Sequence, residues 1–288
     1  MLNMIRKHTR SIKFIEQEML QIRYAIGCME AANVHKGDDL REFQVFSQWG
    51  EDGIIQWLIH NLEIKEKRFI EFGVQNYIES NTRFLLMHDN WDGLIIDGSE
   101  ENINFIQHDD IYWRYNLCAV SQFITVDNIN GIFKNYGFDG EIGILSIDID
   151  GNDYWIWNAI ESVCPDIVIC EYNHRFGAER AVTVPYDAAF MREKAHYSCI
   201  YYGASIQAFV QLAKKKGYSL VAGNSSGNNI FFVRDELLNN TVRKRAVSEC
   251  FRQGKFRESR NPNGSLAFLT LEDEQRLLDK LPVVDVNI

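Results

Sequence analysis

Two periods alternate along this chain. Short apolar runs of strand length stand at 68–73, 93–97, 115–120, 142–147 and 165–171, and several stop at an acid or a glycine. Between them lie stretches of helical spacing. One carries Ile54, Ile55, Leu58 and Ile59, with Ser47 or a nearby acid as its cap. Another carries Phe84, Leu85 and Leu86; others cover 100–106, 126–136, 154–162 and 205–216, the last ended by Gly217. Two further strands, 218–222 and 230–233, are joined by a polar turn too short for a crossover, so they form an antiparallel hairpin. Strand–helix alternation closed by a hairpin predicts an α/β fold: a doubly wound, mostly parallel sheet with an antiparallel edge.

The flanks read differently. In the first 36 residues Ile15, Leu20, Ile22, Ile26 and Met29 fall near helical spacing, which predicts a helical arm packed on its own domain or on a second subunit. Gly37, Asp38 and Asp39 break it. Residues 178–202 show no period and hold Pro185, the mark of a long insertion or lid. From 236 the chain is charged and partly helical. The expected division is an arm at 1–40, one domain at 41–235 and an extension at 236–288.

Composition narrows the class. The net charge of −10 argues against a general nucleic-acid binder. No apolar run is long enough for a membrane span or a signal peptide. Six cysteines form neither a CxxC pair nor a metal framework, which suits reduced thiols and a cytoplasmic protein.

Chemistry concentrates where the strands stop. Glu71, Asp97, the pair Asp148 and Asp150, and Glu171 end four of them. In open α/β sheets, ligands sit outside the carboxyl ends of the strands. Carboxylates gathered there need a cation or a hydroxyl-rich ligand. Gly73 lets the backbone approach a ligand after the first strand, but Gln75 and Ile78 stand where a dinucleotide fingerprint requires glycine. Asp97 ends the next strand, where a carboxylate accepts from both ribose hydroxyls. The plainer alternatives are a turn at Asp97, a backbone N–H held by Glu71, and a helix cap at Asn152 or Asp153.

The motifs SQWGEDGII, FIEFGV with ESNTRFLL, GLIIDGS, LSIDIDGNDYW, ICEYN and GNNIFFVR, spread over 47–234, resemble class I S-adenosylmethionine-dependent methyltransferases. The nearest branch is the FkbM-type and related sugar O-methyltransferases. The resemblance implies a Rossmann-like seven-stranded sheet with a reversed last strand. It implies that Glu71 and Gly73 border the methionine part of the cofactor and that Asp97 holds the ribose. Ser80, Ser99 and Asp148 complete the cofactor-facing set. Gln75 departs from the family's usual glycine.

Asp148, Asp150, Glu171 and Asn173 supply hard oxygen ligands suited to Mg²⁺ or Mn²⁺. The set resembles the metal site of macrocin-type sugar O-methyltransferases, which carry a histidine where Asn152 or Asp153 stands here. Methyl transfer to a sugar hydroxyl needs alignment and deprotonation, which makes Asp150 and His174 the candidate catalytic groups. A basic run from Arg243 to Arg260 is either a solvated helix face or a seat for the diphosphate of a nucleotide-linked sugar. The alternative functions are a nicotinamide-dependent oxidoreductase and a non-catalytic nucleotide-binding module.

Overall fold

The computed structural model describes residues 2–35 and 39–286. The expected break at Gly37 and Asp38 lies outside the described residues. In chain order the first elements are α1 (Leu2–Val34), α2 (Glu51–Asn61), β1 (Arg68–Phe72), α3 (Arg83–Asp89), β2 (Asp92–Asp97), α4 (Glu100–His108), α5 (Asp110–Arg114) and β3 (Leu117–Ser121). Then come α6 (Ile129–Asn135), β4 (Gly140–Ile147), α7 (Asp153–Ala159), β5 (Val163–Glu171), β6 (Val182–Thr183) and α8 (Arg192–Ala195). The last are α9 (Ile206–Lys216), β7 (Tyr218–Gly223), β8 (Asn229–Arg234), α10 (Val247–Cys250), α11 (Leu271–Leu278) and β9 (Val284–Asp285).

Seven strands form one sheet in the order β3-β2-β1-β4-β5-β8-β7. Pairs from β3 through to β5 are parallel; β8 runs antiparallel to both β5 and β7. This is the doubly wound sheet with a reversed last strand that the sequence predicts, except that the reversed strand β8 lies inside the edge: β7, the edge strand, runs with the other five. The order reverses between β1 and β4, the place in such a sheet where ligands sit outside the carboxyl ends of the strands.

The central strands are apolar because both faces are covered. Ile142, Ile144, Leu145 and Ile147 of β4 are almost wholly buried. Alternate residues feed two cores. Ile70 and Phe72 pack with Leu94, Phe133, Trp157 and Phe209; Phe69 packs with Ile54, Trp57, Leu58 and Ile95. Glu71 shares the second face and so points beneath the start of α3.

The motif before α2 is a clamp. Oδ2 of buried Asp52 accepts from the N–H groups of Val45, Phe46 and Ser47 and from the Ser47 hydroxyl. Its neighbour Glu51 accepts from the amides of Asn224 and Asn229, at 2.6 and 2.8 Å. Two motifs at opposite ends of the domain are thereby fastened together.

The arm is one 33-residue helix. Tyr24, Gly27, Ala31 and Val34 face the domain: the Tyr24 hydroxyl donates to the Met87 carbonyl, and Gly27 lies against Val45 and Phe84. Leu20 lines a hollow between α1 and the body, whereas Ile15, Ile22, Ile26 and Met29 stay exposed. The extension holds two helices, α10 and α11. Only α10 interrupts 243–260, and β9 pairs with β6, tying the chain end to the insertion. Among the described residues no helix is long and apolar enough to cross a membrane, and all six cysteines are free.

Candidate active site

The loop after β4 is built around Asp153. Its carboxylate accepts from the N–H groups of Ile149 and Gly151, both at 2.9 Å, and closes the turn into α7. Burial pushes its pKa up to about 6 against those hydrogen bonds. The plain reading of Asp153, as a structural acid at a helix start, is the one observed. Within this turn Asp150 takes a left-handed conformation (φ +55°), which aims its half-exposed side chain outward.

Asp148, Asp150 and Glu171 each bring a carboxylate oxygen to within 4.8 Å of the others. Burial raises both Asp148 and Glu171 well above the usual carboxylate range; the charges of Asp150 and Asp153 then add to the first, and those of Asp148 and Asp150 to the second. Arg192 reaches this trio from the insertion. Its Nη1 donates to Asp150 at 2.9 Å and its Nε to the Cys199 carbonyl at 2.6 Å. Its guanidinium lies 4.1 Å from the centroid of the Tyr202 ring, and Nη2 stands 3.6 Å from Glu258. Phe190, on the same segment, packs its ring on Gly151, where a Cβ would lie 2.2 Å away. Sequence reading missed both residues. The absence of a period marked 178–202 as an insertion, but nothing local showed which of its side chains returns to the sheet.

Across the crevice, Oδ2 of Asp97 accepts from Gln75 N–H at 2.7 Å, and Oδ1 from Ser99 N–H at 2.8 Å and the Asn102 amide at 3.1 Å. Glu71 accepts from the N–H groups of Asn81 and Thr82 and from the Thr82 hydroxyl, so it holds the entry to α3. Ser80 accepts from Arg83 N–H at 3.2 Å. Gly73 (φ +67°) is needed by the protein itself: a Cβ there would lie 1.7 Å from the Asp148 carbonyl oxygen. That approach brings the loops after β1 and β4 together.

Two cavities flank the junction. One of about 190 Å³ is lined by Gly73, Asp97, Gly98, Phe123, Ile124 and Asp148. Its neighbour of about 110 Å³ is lined by Gln48, Glu71, Ser80, Asn81, Asn229 and again Gly73 and Asp148. Gln75 lines both. Of the six cofactor-facing residues from the sequence, five therefore border one or other of these two cavities. Ser99 borders neither cavity; its hydroxyl caps α4 by accepting from Asn102 N–H.

Two expected site residues lie elsewhere. Asn173 is fully buried; its amide donates to the carbonyls of Ile200 and Tyr202, and its oxygen accepts from Arg175 N–H. The two amide bonds anchor the insertion and the third caps the turn at 174–176, a structural role in place of the expected metal ligation. His174 is buried in a separate region, beside a hollow of about 460 Å³ shared with Arg175, Arg180, Gln253 and Glu274. Gln253 bonds its Nδ1 at 2.6 Å, and burial, then Arg175, pushes its pKa down to about 3. It is not placed with the acids as their base. Nor is the basic run gathered. Arg245 and Arg252 share a hollow with Glu42 and Glu249, Arg257 stacks on Phe268, and Arg260 lies 3.4 Å from Glu258.

No family model and no curated protein matches the sequence. Solved structures do. The N-terminal domain of EvdMO1 with SAH bound aligns with a TM-score of 0.39 at 12% identity, covering 76% of this chain and 96% of that one. The same domain in the presence of SAH and D-fucose gives 0.38 at 12% over 58% and 75%. A S-adenosylmethionine-dependent methyltransferase from Clostridium acetobutylicum gives 0.40 at 8% over 64% and 89%. These likenesses are distant.

Chemically the crevice has two halves. One offers a carboxylate, Asp97, at a strand end beside an apolar wall of Phe123 and Ile124, which suits a ribose and a flat base. The other offers three crowded carboxylates with a single guanidinium among them. An excess of negative charge at that end favours a cationic ligand.

Proposed function

We propose that this chain is an S-adenosylmethionine-dependent O-methyltransferase acting on a sugar hydroxyl, assisted by a divalent cation at Asp148, Asp150 and Glu171. The observation that carries the reading is the convergence of Gly73, Asp97, Asp148 and Asp150 on one cavity where the strand order reverses, with Glu171 close beside the last two. Gln75 and Ile78 disfavour a dinucleotide pyrophosphate in the same loop.

The residues fit both groups. Asp97 already accepts three hydrogen bonds, which fix its plane, and Oδ2, which accepts only one of them, keeps a lone pair for a ribose hydroxyl. Bound in the crevice, the cofactor supplies a methyl group on a sulfonium. Three hard oxygen donors that repel one another fit Mg²⁺ or Mn²⁺, whose charge would make a sugar hydroxyl more acidic. Asp150, the accessible member of the trio, accepts the hydroxyl proton. Arg192 holds Asp150 in place, and Phe190 packs on Gly151 beside it.

Calorimetric titration with S-adenosylhomocysteine tests the cofactor. One-to-one binding is expected for the parent chain and none for Asp97→Ala. Heat from NAD⁺ and none from S-adenosylhomocysteine would sink the reading. Mass spectrometry of candidate nucleotide sugars incubated with S-adenosylmethionine, with and without a chelator, tests acceptor and cation together.

A further inference from the structure

The exposed face of α1 carries Ile15, Met19, Ile22, Ile26 and Met29, which are 56, 65, 59, 55 and 68% exposed. Their spacing is four, three, four and three residues. That is the repeat of a coiled-coil seam rather than of a helix lying on a globular core. The face is not spare packing surface. At about 100° per residue it lies opposite the face formed by Tyr24, Gly27, Ala31 and Val34, which already meets the domain. In the sequence Ile12 and Ile5 fall on the same seam toward the N-terminus, with His8 at the position between them.

We infer that α1 assembles with α1 of a second copy of this chain as a parallel coiled coil. The seam is self-complementary because each heptad position meets its own copy. Flanking charges agree: Glu18, just before the seam residue Met19, and Arg23, just after Ile22, are both exposed. In a parallel pair they occupy the two flanking positions that attract across the interface. Five such side chains from each of two copies bury on the order of 1,000 Å², near the lower bound of a specific interface. Isoleucine at both alternating seam positions allows a third strand by the same contacts. The domains project from the outer faces, so the crevices stay open.

Sedimentation equilibrium of the full chain at micromolar concentration tests this. The expected mass is at least twice the 33.5 kDa of one chain. Ile22→Asp with Ile26→Asp should reduce it to one chain with unchanged circular dichroism, since both side chains touch solvent. A parent chain that sediments as a monomer, or a double variant that stays assembled, overturns the inference. Orientation has its own readout. Under mild oxidation Ile15→Cys should give a covalent dimer that the parent chain does not form. An assembled variant without that cross-link overturns the parallel arrangement.

Discussion

Arg192 is the residue on which the acid trio depends. It enters a cluster that burial and mutual repulsion make unfavourable, and it contacts Asp150 while its Nε is fixed on the Cys199 carbonyl. A lysine presents one point charge and cannot make both contacts. Arg192→Ala and Arg192→Lys are therefore both expected to lower kcat by about 10²-fold with little change in S-adenosylhomocysteine affinity, because the misplaced group is the proton acceptor. Steady-state kinetics beside calorimetry read this out. A lysine variant with parent activity would remove the fork geometry from the account. The trio also has a signature in stability. Asp148 and Glu171 have folded-state pKa values raised above the ordinary value of about 4. The folded state thus binds protons that the unfolded chain has already released. Stability is fully present below that ordinary range and is lost as pH rises through the raised values. In a chelator, the melting temperature should fall as pH rises from about 5 to 8. Asp148→Asn should remove much of that fall and melt higher than the parent at the alkaline end. Added Mg²⁺ should do likewise for the parent alone.

At the scale of elements, what the sequence shows is what local pattern can encode. The buried strands β1, β2, β4 and β5 have near-continuous apolar runs, and their acids are visible because a charge at the end of such a run has few structural reasons to be there. Helix α5 is hidden in a polar stretch before the weakly patterned β3. The roles of Asn173 and His174 are set by partners far along the chain: Asn173 bonds carbonyls at 200 and 202, and His174 bonds Gln253. No spacing rule reaches such distances. The same holds for the extension, which reads as a charged tail yet is held by Arg175 and Glu274, 99 positions apart, with side chains 1 and 5% exposed. Glu274→Ala leaves the Arg175 charge buried without its partner, a loss of about 3–5 kcal/mol. Chemical denaturation should show that loss, with cofactor binding retained below the transition. A change below about 1 kcal/mol, the range of exposed pairs, would mean that water enters the site.

For the molecule as a whole, the order reversal of the sheet falls between β1 and β4, and the two cavities beside their tips share Gly73, Gln75 and Asp148. Two ligands that bind there must sense each other's charge. S-adenosylmethionine is a cation at sulfur and S-adenosylhomocysteine is not, while the rest of the two molecules is alike. Above the raised pKa values of Asp148 and Glu171, where the metal-free trio is ionised, its negative field should favour the sulfonium, so the methylated cofactor should bind more tightly than its product. A divalent cation on Asp148, Asp150 and Glu171 cancels most of that field, and the preference should shrink several-fold, since charges within about 10 Å are only partly screened at ordinary salt. Linkage makes the effect reciprocal: Mg²⁺ must bind more weakly to the complex with S-adenosylmethionine than to that with S-adenosylhomocysteine, by the same factor. Four titrations close the cycle. A ratio that Mg²⁺ leaves unchanged would place the cation outside the crevice or the sulfonium away from the acids, and either result would undo the arrangement on which the proposed reaction depends.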